Sequence, residues 1–165
     1  MRLRSKPLLV DTNLILEAHK CGCWKQIVGA FRVETVAKCV EETQTGKQRT
    51  THKVNIDEAA LRRSIEVHHV TPDEVFRVKQ MGGAGLDAGE MELWAHALTR
   101  VDAWVLCGPD TASLKFGFDT GHKDRLVHLE AVLAEIGVRM PRNIASHFGR
   151  RWHEHLMNEM IFGRI

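Results

Sequence analysis

Two short apolar runs each end at an acidic turn and hand the chain directly to a helical pattern, and this limits the fold more than any other feature. Leu8-Leu9-Val10 reads as a buried strand running into Asp11-Thr12-Asn13, after which Leu14-Ile15-Leu16 resumes as a helix. Ala103-Trp104-Val105-Leu106-Cys107 repeats the pattern, with Gly108-Pro109 turning the chain into Asp110-Thr111. Strands that alternate with helices build a parallel sheet covered on its faces. In such a sheet ligands collect outside the carboxyl ends of the strands, where both aspartates fall.

The remaining pattern fits that frame. Residues 13–19 and 23–31 read as helices, the second with Trp24, Ile27, Val28 and Phe31 on one face. Arg32 to Thr35 reads as a second strand, and the helix after it carries Val36, Cys39 and Val40 and brings Glu41 and Glu42. A polar loop follows over 43–55, then a short helix at 57–63 and a third strand at 65–70. Thr71-Pro72-Asp73-Glu74 is a helix start, with a capping hydroxyl, proline at the first helical position and glutamate three residues after the cap. Met81 to Gly85 ends that helix, and Leu86-Asp87-Ala88-Gly89-Glu90 opens a longer one reaching about Arg100. Beyond Asp110 the pattern predicts helices at 111–118 and 123–136, a short edge strand at 138–140 and a final helix at 143–162. In that last helix Ile144, Phe148, Trp152, Leu156 and Met160 are spaced by fours, a stripe that must pack against something. The expectation is one α/β domain over 1–165: a three-layer α/β/α fold with a central, mainly parallel sheet of four or five strands, plus a C-terminal helix.

With 44% apolar and 27% charged residues in 165, the chain reads as a soluble globular protein. The apolar run behind Arg2, Arg4 and Lys6 is too short for a signal-peptide core, so a cytoplasmic protein without a membrane segment is expected. A net charge of +2 does not advertise nucleic acid, and any such partner must be held by a local patch. Cys21 and Cys23 with His19 offer soft ligands for zinc but lack a second pair, while Cys39 and Cys107 fall inside apolar patterns as buried thiols.

Asp11, Glu41 or Glu42, Asp87 with Glu90, and Asp110 all lie where a strand yields to a helix or on a helix's first turns. Mg²⁺ and Mn²⁺ prefer oxygen ligands, so convergent carboxylates of this kind make a hard-cation site. Asp87 and Glu90, three apart, project from one face of a first turn. The same residues also suit plain structural roles: Asp87 with Glu90 fits a capping box, Asp110 fits a cap, and Glu41 and Glu42 fit a solvated helix face. Asp11 resists such a reading most, because an unpaired carboxylate at the end of a buried strand is costly.

The arrangement resembles the PIN domain family, metal-dependent ribonucleases that include the toxins of toxin-antitoxin pairs. The resemblance spans about residues 7–136. It rests on Leu8-Leu9-Val10-Asp11-Thr12-Asn13, the Glu41 region, Leu86-Asp87-Ala88-Gly89-Glu90-Met91-Glu92, and Val105 to Asp110. It implies an endoribonuclease that uses Mg²⁺ or Mn²⁺ to activate water. Asp11, Glu41, Asp87, Glu90 and Asp110 would be the metal-binding catalytic residues, and Asn13 and Thr111 would orient them. Register leaves Glu42 as an alternative to Glu41, and Glu92 to Glu90. The sequence departs from the family at Gly108, where a threonine or serine is common, and this keeps open a catalytically silent RNA-binding or protein-interaction module. An aspartyl-phosphate phosphatase would want a second acid where Asn13 stands.

For an RNA partner, the loop at 45–53 offers Lys47, Arg49, His52 and Lys53 with no acid, and Arg139, Arg142, His147, Arg150, Arg151 and His153 form a second basic stretch. Both also read as ordinary solvated surface. The apolar stripe of the final helix leaves three options open: docking on its own domain, pairing with a twin chain as a homodimer, or receiving an antitoxin-like peptide.

Overall fold

The computed structural model describes residues 2–45 and 54–165. Its strands are β1 (Leu8–Val10), β2 (Val33–Val36), β3 (Glu66–His68), β4 (Val105–Cys107) and β5 (Leu126–Val127). They form one sheet in the order β3-β2-β1-β4-β5, and every pairing is parallel. The order reverses at β1, so the crevice between the carboxyl ends of β1 and β4 is the topological switch point where such folds bind ligands. β1, β2 and β4 are buried at every residue, as strands covered on both faces must be.

The helices are α1 (Thr12–Lys20), α2 (Trp24–Ala30), α3 (Ala37–Gln44), α4 (Glu58–Ser64), α5 (Pro72–Gln80), α6 (Ala88–Thr99), α7 (Thr111–Asp119), α8 (Leu129–Glu135) and α9 (Arg150–Ile161). Because side chains alternate across a strand, Leu8 and Val10 point into one core with α1, α2, α4 and α8, while Leu9 and Leu106 point into the other with α5, α6, α7 and α9. Helix α3 serves both, with Val40 in the first core and Cys39 in the second. The result is a three-layer α/β/α fold. Among the described residues no helix is long and apolar enough to cross a membrane.

The C-terminal third differs from the sequence pattern in three places. Residues 123–136 are not one helix: a 3₁₀ turn at Lys123–Arg125 leads into β5, and His128 then caps α8, its Nδ1 accepting from Ala131 N at 3.1 Å. Leu126 is spaced from Leu129 and Leu133 as on one helical face, yet it lies in the other core. The fifth strand is therefore 126–127, and 138–140 forms none. The last helix starts at Arg150, because Ser146–Phe148 is a 3₁₀ turn and Gly149 is extended. Its stripe packs on its own domain through Leu156 and Met160, with Phe148 buried in the first core and Trp152 half-buried.

One charge lies deep inside. Glu34, on β2, is fully buried and faces α6. Its Oε1 accepts from Arg100 Nη1 and from His68 Nε2, both at 2.6 Å, and Arg32 Nε reaches Oε2 at 3.2 Å. Burial alone would raise the Glu34 pKa, but the hydrogen bonds from Arg100 and His68, with the charges of Arg100 and Arg32, hold it below the ordinary value. Arg100 caps the end of α6, so this pair pins that helix to the sheet. Arg100→Met leaves a buried carboxylate without its main partner and is expected to cost about 3 kcal/mol in urea unfolding. Asp102→Ala removes only Arg100's exposed partner and should cost less than about 1 kcal/mol; equal costs would show that Glu34 does not depend on Arg100.

Candidate metal centre at the carboxyl edge of the sheet

The centre is built from helix starts. Asp11 caps α1, accepting from Leu14 N at 2.8 Å; Asp110 caps α7, accepting from Ala112 N at 2.7 Å and Ser113 N at 3.1 Å. Asp87 caps α6 in a reciprocal box, accepting from Glu90 N at 2.9 Å while its own N–H donates to Glu90 Oε2 at 3.1 Å. Each aspartate fills backbone donors that the first turn of a helix leaves open. Capping and convergence thus coexist, because these caps lie beside one another.

A fifth acid comes from α3, and it is Glu42. Thr12 Oγ1 donates to Glu42 Oε2 at 2.8 Å, and Gly89 N donates to its Oε1 at 3.2 Å. Glu41 points to solvent and pairs with Lys38 at 3.1 Å. The pattern held a clue to this: Lys38 and Glu41, three apart, make an exposed ion pair, whereas Glu42 lies three residues from buried Cys39, on the inward side. Glu90 is buried in the cluster, while Glu92 lies toward Lys38. Asn13 and Thr111 are exposed, and among the described residues no hydrogen bond joins either side chain to these acids; the orienting hydroxyl is that of Thr12. Lys47, Arg49, His52 and Lys53 lie outside the described residues.

Two glycines permit the close approach. A Cβ on Gly108 would stand 2.8 Å from Asp11 Oδ2, and one on Gly89 would collide with the Glu42 carboxylate. Gly108, where the family resemblance expects a hydroxyl residue, is therefore the space that Asp11 occupies.

The acids act on one another's protonation. Burial, then the charges of Asp110, Asp87 and Glu42, raise Asp11 to about 7 against the pull of its bond from Leu14. Burial, then the charges of Asp110 and Asp87, raise Glu90 to about 9. Glu42 is raised by burial and by Asp87. Among the described residues no donor reaches the buried Glu90 Oε1, so an ionised Glu90 leaves an orphaned oxygen, whereas a protonated one can share its proton with Asp110. An all-oxygen donor set with an orphaned buried oxygen fits a hard divalent cation. The neighbouring thiols do not compete: burial pushes Cys39 up to about 12 and Cys107 well above its ordinary value.

Among the described residues, the group of three or more possible ligands whose ligand atoms all lie within 4.8 Å of one another is a different one, Glu34, His68 and His96. Here a cation is already built in. Arg100 Nη1 lies 2.6 Å from Glu34 Oε1 and 3.0 Å from His96 Nε2, and burial, with His68 and Arg100 nearby, lowers His96 to about 4 so that its ring accepts from the guanidinium. A metal would have to evict that side chain.

No protein-family model matches the chain, and no curated protein matches it.

Carboxyls raised by folding hold protons more tightly in the native state, so their contribution is most favourable at low pH and is lost as pH rises through the folded values. With Asp11 moved from 3.8 to about 7 and Glu90 from 4.5 to about 9, the protein in EDTA should lose stability as pH is raised through that window. Asp11→Asn keeps a capping oxygen and removes a charge. At pH 8 in EDTA it should melt at or above the parent, by about 2–4 °C for each kcal/mol of repulsion relieved. A lower melting point there would mean that burial and repulsion together do not outweigh what the charged Asp11 gains from its bond with Leu14. Gly108→Ala should weaken the stabilisation by Mn²⁺ in thermal melts by displacing Asp11, and an unchanged Mn²⁺ increment would show that the contact is slack.

Proposed function

We propose that this chain is a Mg²⁺- or Mn²⁺-dependent endoribonuclease of the PIN-domain kind. The observation that carries the reading is the group of five carboxylates at the switch point of a parallel sheet, with Asp11 and Glu90 buried and Glu90 Oε1 lacking a donor among the described residues. Asp11, Glu42, Asp87, Glu90 and Asp110 would hold the cation, with Glu42 in the place the resemblance gave to Glu41. When bound, the cation supplies Lewis-acid activation of water and neutralises charge at the phosphate.

The chain's own residues have separate tasks. Thr12 and Gly89 hold the Glu42 carboxylate inward from two sides. Leu14 N keeps Asp11 at the end of β1. Glu90 holds a proton in the absence of a cation and must release it for its second oxygen to become a ligand atom. Lys47, Arg49 and Lys53, and the arginines at 139–151, would meet RNA phosphates.

Looped or single-stranded RNA incubated with the purified protein should be cut when Mn²⁺ or Mg²⁺ is present and spared in EDTA. Asp11→Asn and Glu42→Gln should each lower the rate by about 100-fold or more, on the scale of losing one charge-stabilising group, while Glu41→Gln stays near the parent. Cutting by the parent that persists in EDTA, and is lost in Asp11→Asn, would overturn the metal mechanism. Tight Mn²⁺ binding without cleavage of any RNA in a broad panel would favour the silent RNA-binding module that the Gly108 departure keeps open.

A further inference from the structure

Toward the C-terminal end of α6, away from the acids at its start, two imidazoles lie face to face. His68, the last residue of β3, stacks on His96 of α6 with ring centroids 3.9 Å apart and an interplanar angle of 16°. His68 Nε2 reaches Glu34 Oε1 at 2.6 Å, and Arg100 Nη1 bridges the same oxygen, at 2.6 Å, and His96 Nε2, at 3.0 Å. A guanidinium nitrogen carries hydrogens and accepts nothing, so His96 Nε2 must present its lone pair and the ring's one proton must sit on Nδ1. The geometry therefore requires a neutral His96.

The elements around this pair bring charges of both signs. β2 supplies Arg32 and buried Glu34, β3 supplies Glu66 and His68 itself, α5 supplies Glu74, and the turn after α6 supplies Arg100 and Asp102. Burial first, then His68 and Arg100, hold His96 down to about 4 from an ordinary 6.5, against the pull of Glu34 and Glu74. Exposed Asp102 grips the guanidinium from its outer side, accepting from Nε at 2.8 Å and from Nη2 at 2.7 Å. Arg100 thus has a second anchor should it leave Glu34. Glu34 in turn keeps Arg32 at 3.2 Å and His68, so its carboxylate is not left bare.

We infer that the stacked His68 and His96 form an acid-sensitive latch on the C-terminal end of α6. With His96 neutral, Arg100 ties the ring to Glu34 and the helix end stays on the sheet. A proton taken from solvent at His96 Nε2 removes the acceptor, sets two cations 3.0 Å apart and puts a charge against the face of His68. Arg100 then swings out on Asp102, the imidazolium takes its place at Glu34 Oε1, and the last turn of α6 opens. One proton is bound per opening, and only hydrogen bonds are exchanged. Asp87 and Glu90 stand at the other end of the same helix, so acid that opens the latch also loosens the helix on which the acidic group is built. The latch operates whether or not those acids hold a cation.

A group that takes a proton less readily when the latch is closed makes opening easier as pH falls from its free value toward its closed one. Opening of the last turn should therefore rise about tenfold for each pH unit between 6.5 and about 4. Amide hydrogen exchange of Ala95 to Leu98, followed by NMR in EDTA at steps across this window and corrected for the intrinsic rate at each pH, reads that opening. Amides of α7 serve as the internal reference. His96→Gln keeps an acceptor for Arg100 and cannot titrate, so its opening should be flat with pH. In the parent, the His96 ring signals should titrate with a midpoint near 4, and the Arg100 Nε signal should move with them. Should His96→Gln fail to fold, the ring titration and the exchange slope of the parent decide between them. A slope retained in His96→Gln, opening independent of pH in the parent, or a His96 midpoint at or above 6.5 would each overturn the latch. So would an equal rise in α6 and α7, which would assign the acid response to unfolding of the whole chain.

Discussion

Helix starts carry backbone N–H groups that have no partner within the helix, and in this protein three of the helices that need acceptors begin side by side at one edge of the sheet. Asp11 and Asp110 cap the helices that follow β1 and β4, which pair directly at the centre of the sheet, and Asp87 caps α6 against them. The positive ends of the helix dipoles favour negative charge in each place. What brings the carboxylates together is therefore structural need, met at neighbouring points. Burial first, and their mutual repulsion after it, raise Asp11 to about 7 and Glu90 to about 9.

Much of this was legible because it is local. A strand of three apolar residues followed by Asp-Thr-Asn, or Asp87 three residues before Glu90, states both the turn and its cap within a few positions. Glu42 was less legible, since one residue of register separates it from Glu41 and the deciding contacts come from Thr12 and Gly89, 30 and 47 residues away. The segment 123–136 misled for another reason. Leucines at 126, 129 and 133 mimic one helical face, but the first belongs to a two-residue strand that pairs with Leu106 and Cys107 and packs in the other core. A strand that short has no periodicity to read.

The buried Glu34–Arg100 pair was invisible for the same reason, its partners being 66 residues apart. Its place in the molecule matters to the acidic edge. Helix α6 is held at its C-cap by Arg100 on Glu34 and at its first turn by the box of Asp87 and Glu90, so each end of one helix carries a cluster of ionisable groups. One of these is internally neutralised by arginine. The other keeps an excess of negative charge, and that contrast, more than the number of acids, separates a packing element from a candidate ligand site.

Glu42 has a consequence of its own. Its two oxygens hold a hydroxyl of α1 and a backbone amide of α6, so a single side chain joins three helices that enter the chain far apart. The cluster draws on residues from 11 to 110, so no short fragment contains it, and opening any one of those helices would scatter it. A cation bound there would be sensed by the entire molecule rather than by a loop: its occupancy would appear as slowed amide exchange in the strands themselves, and its departure as a general loosening of the sheet.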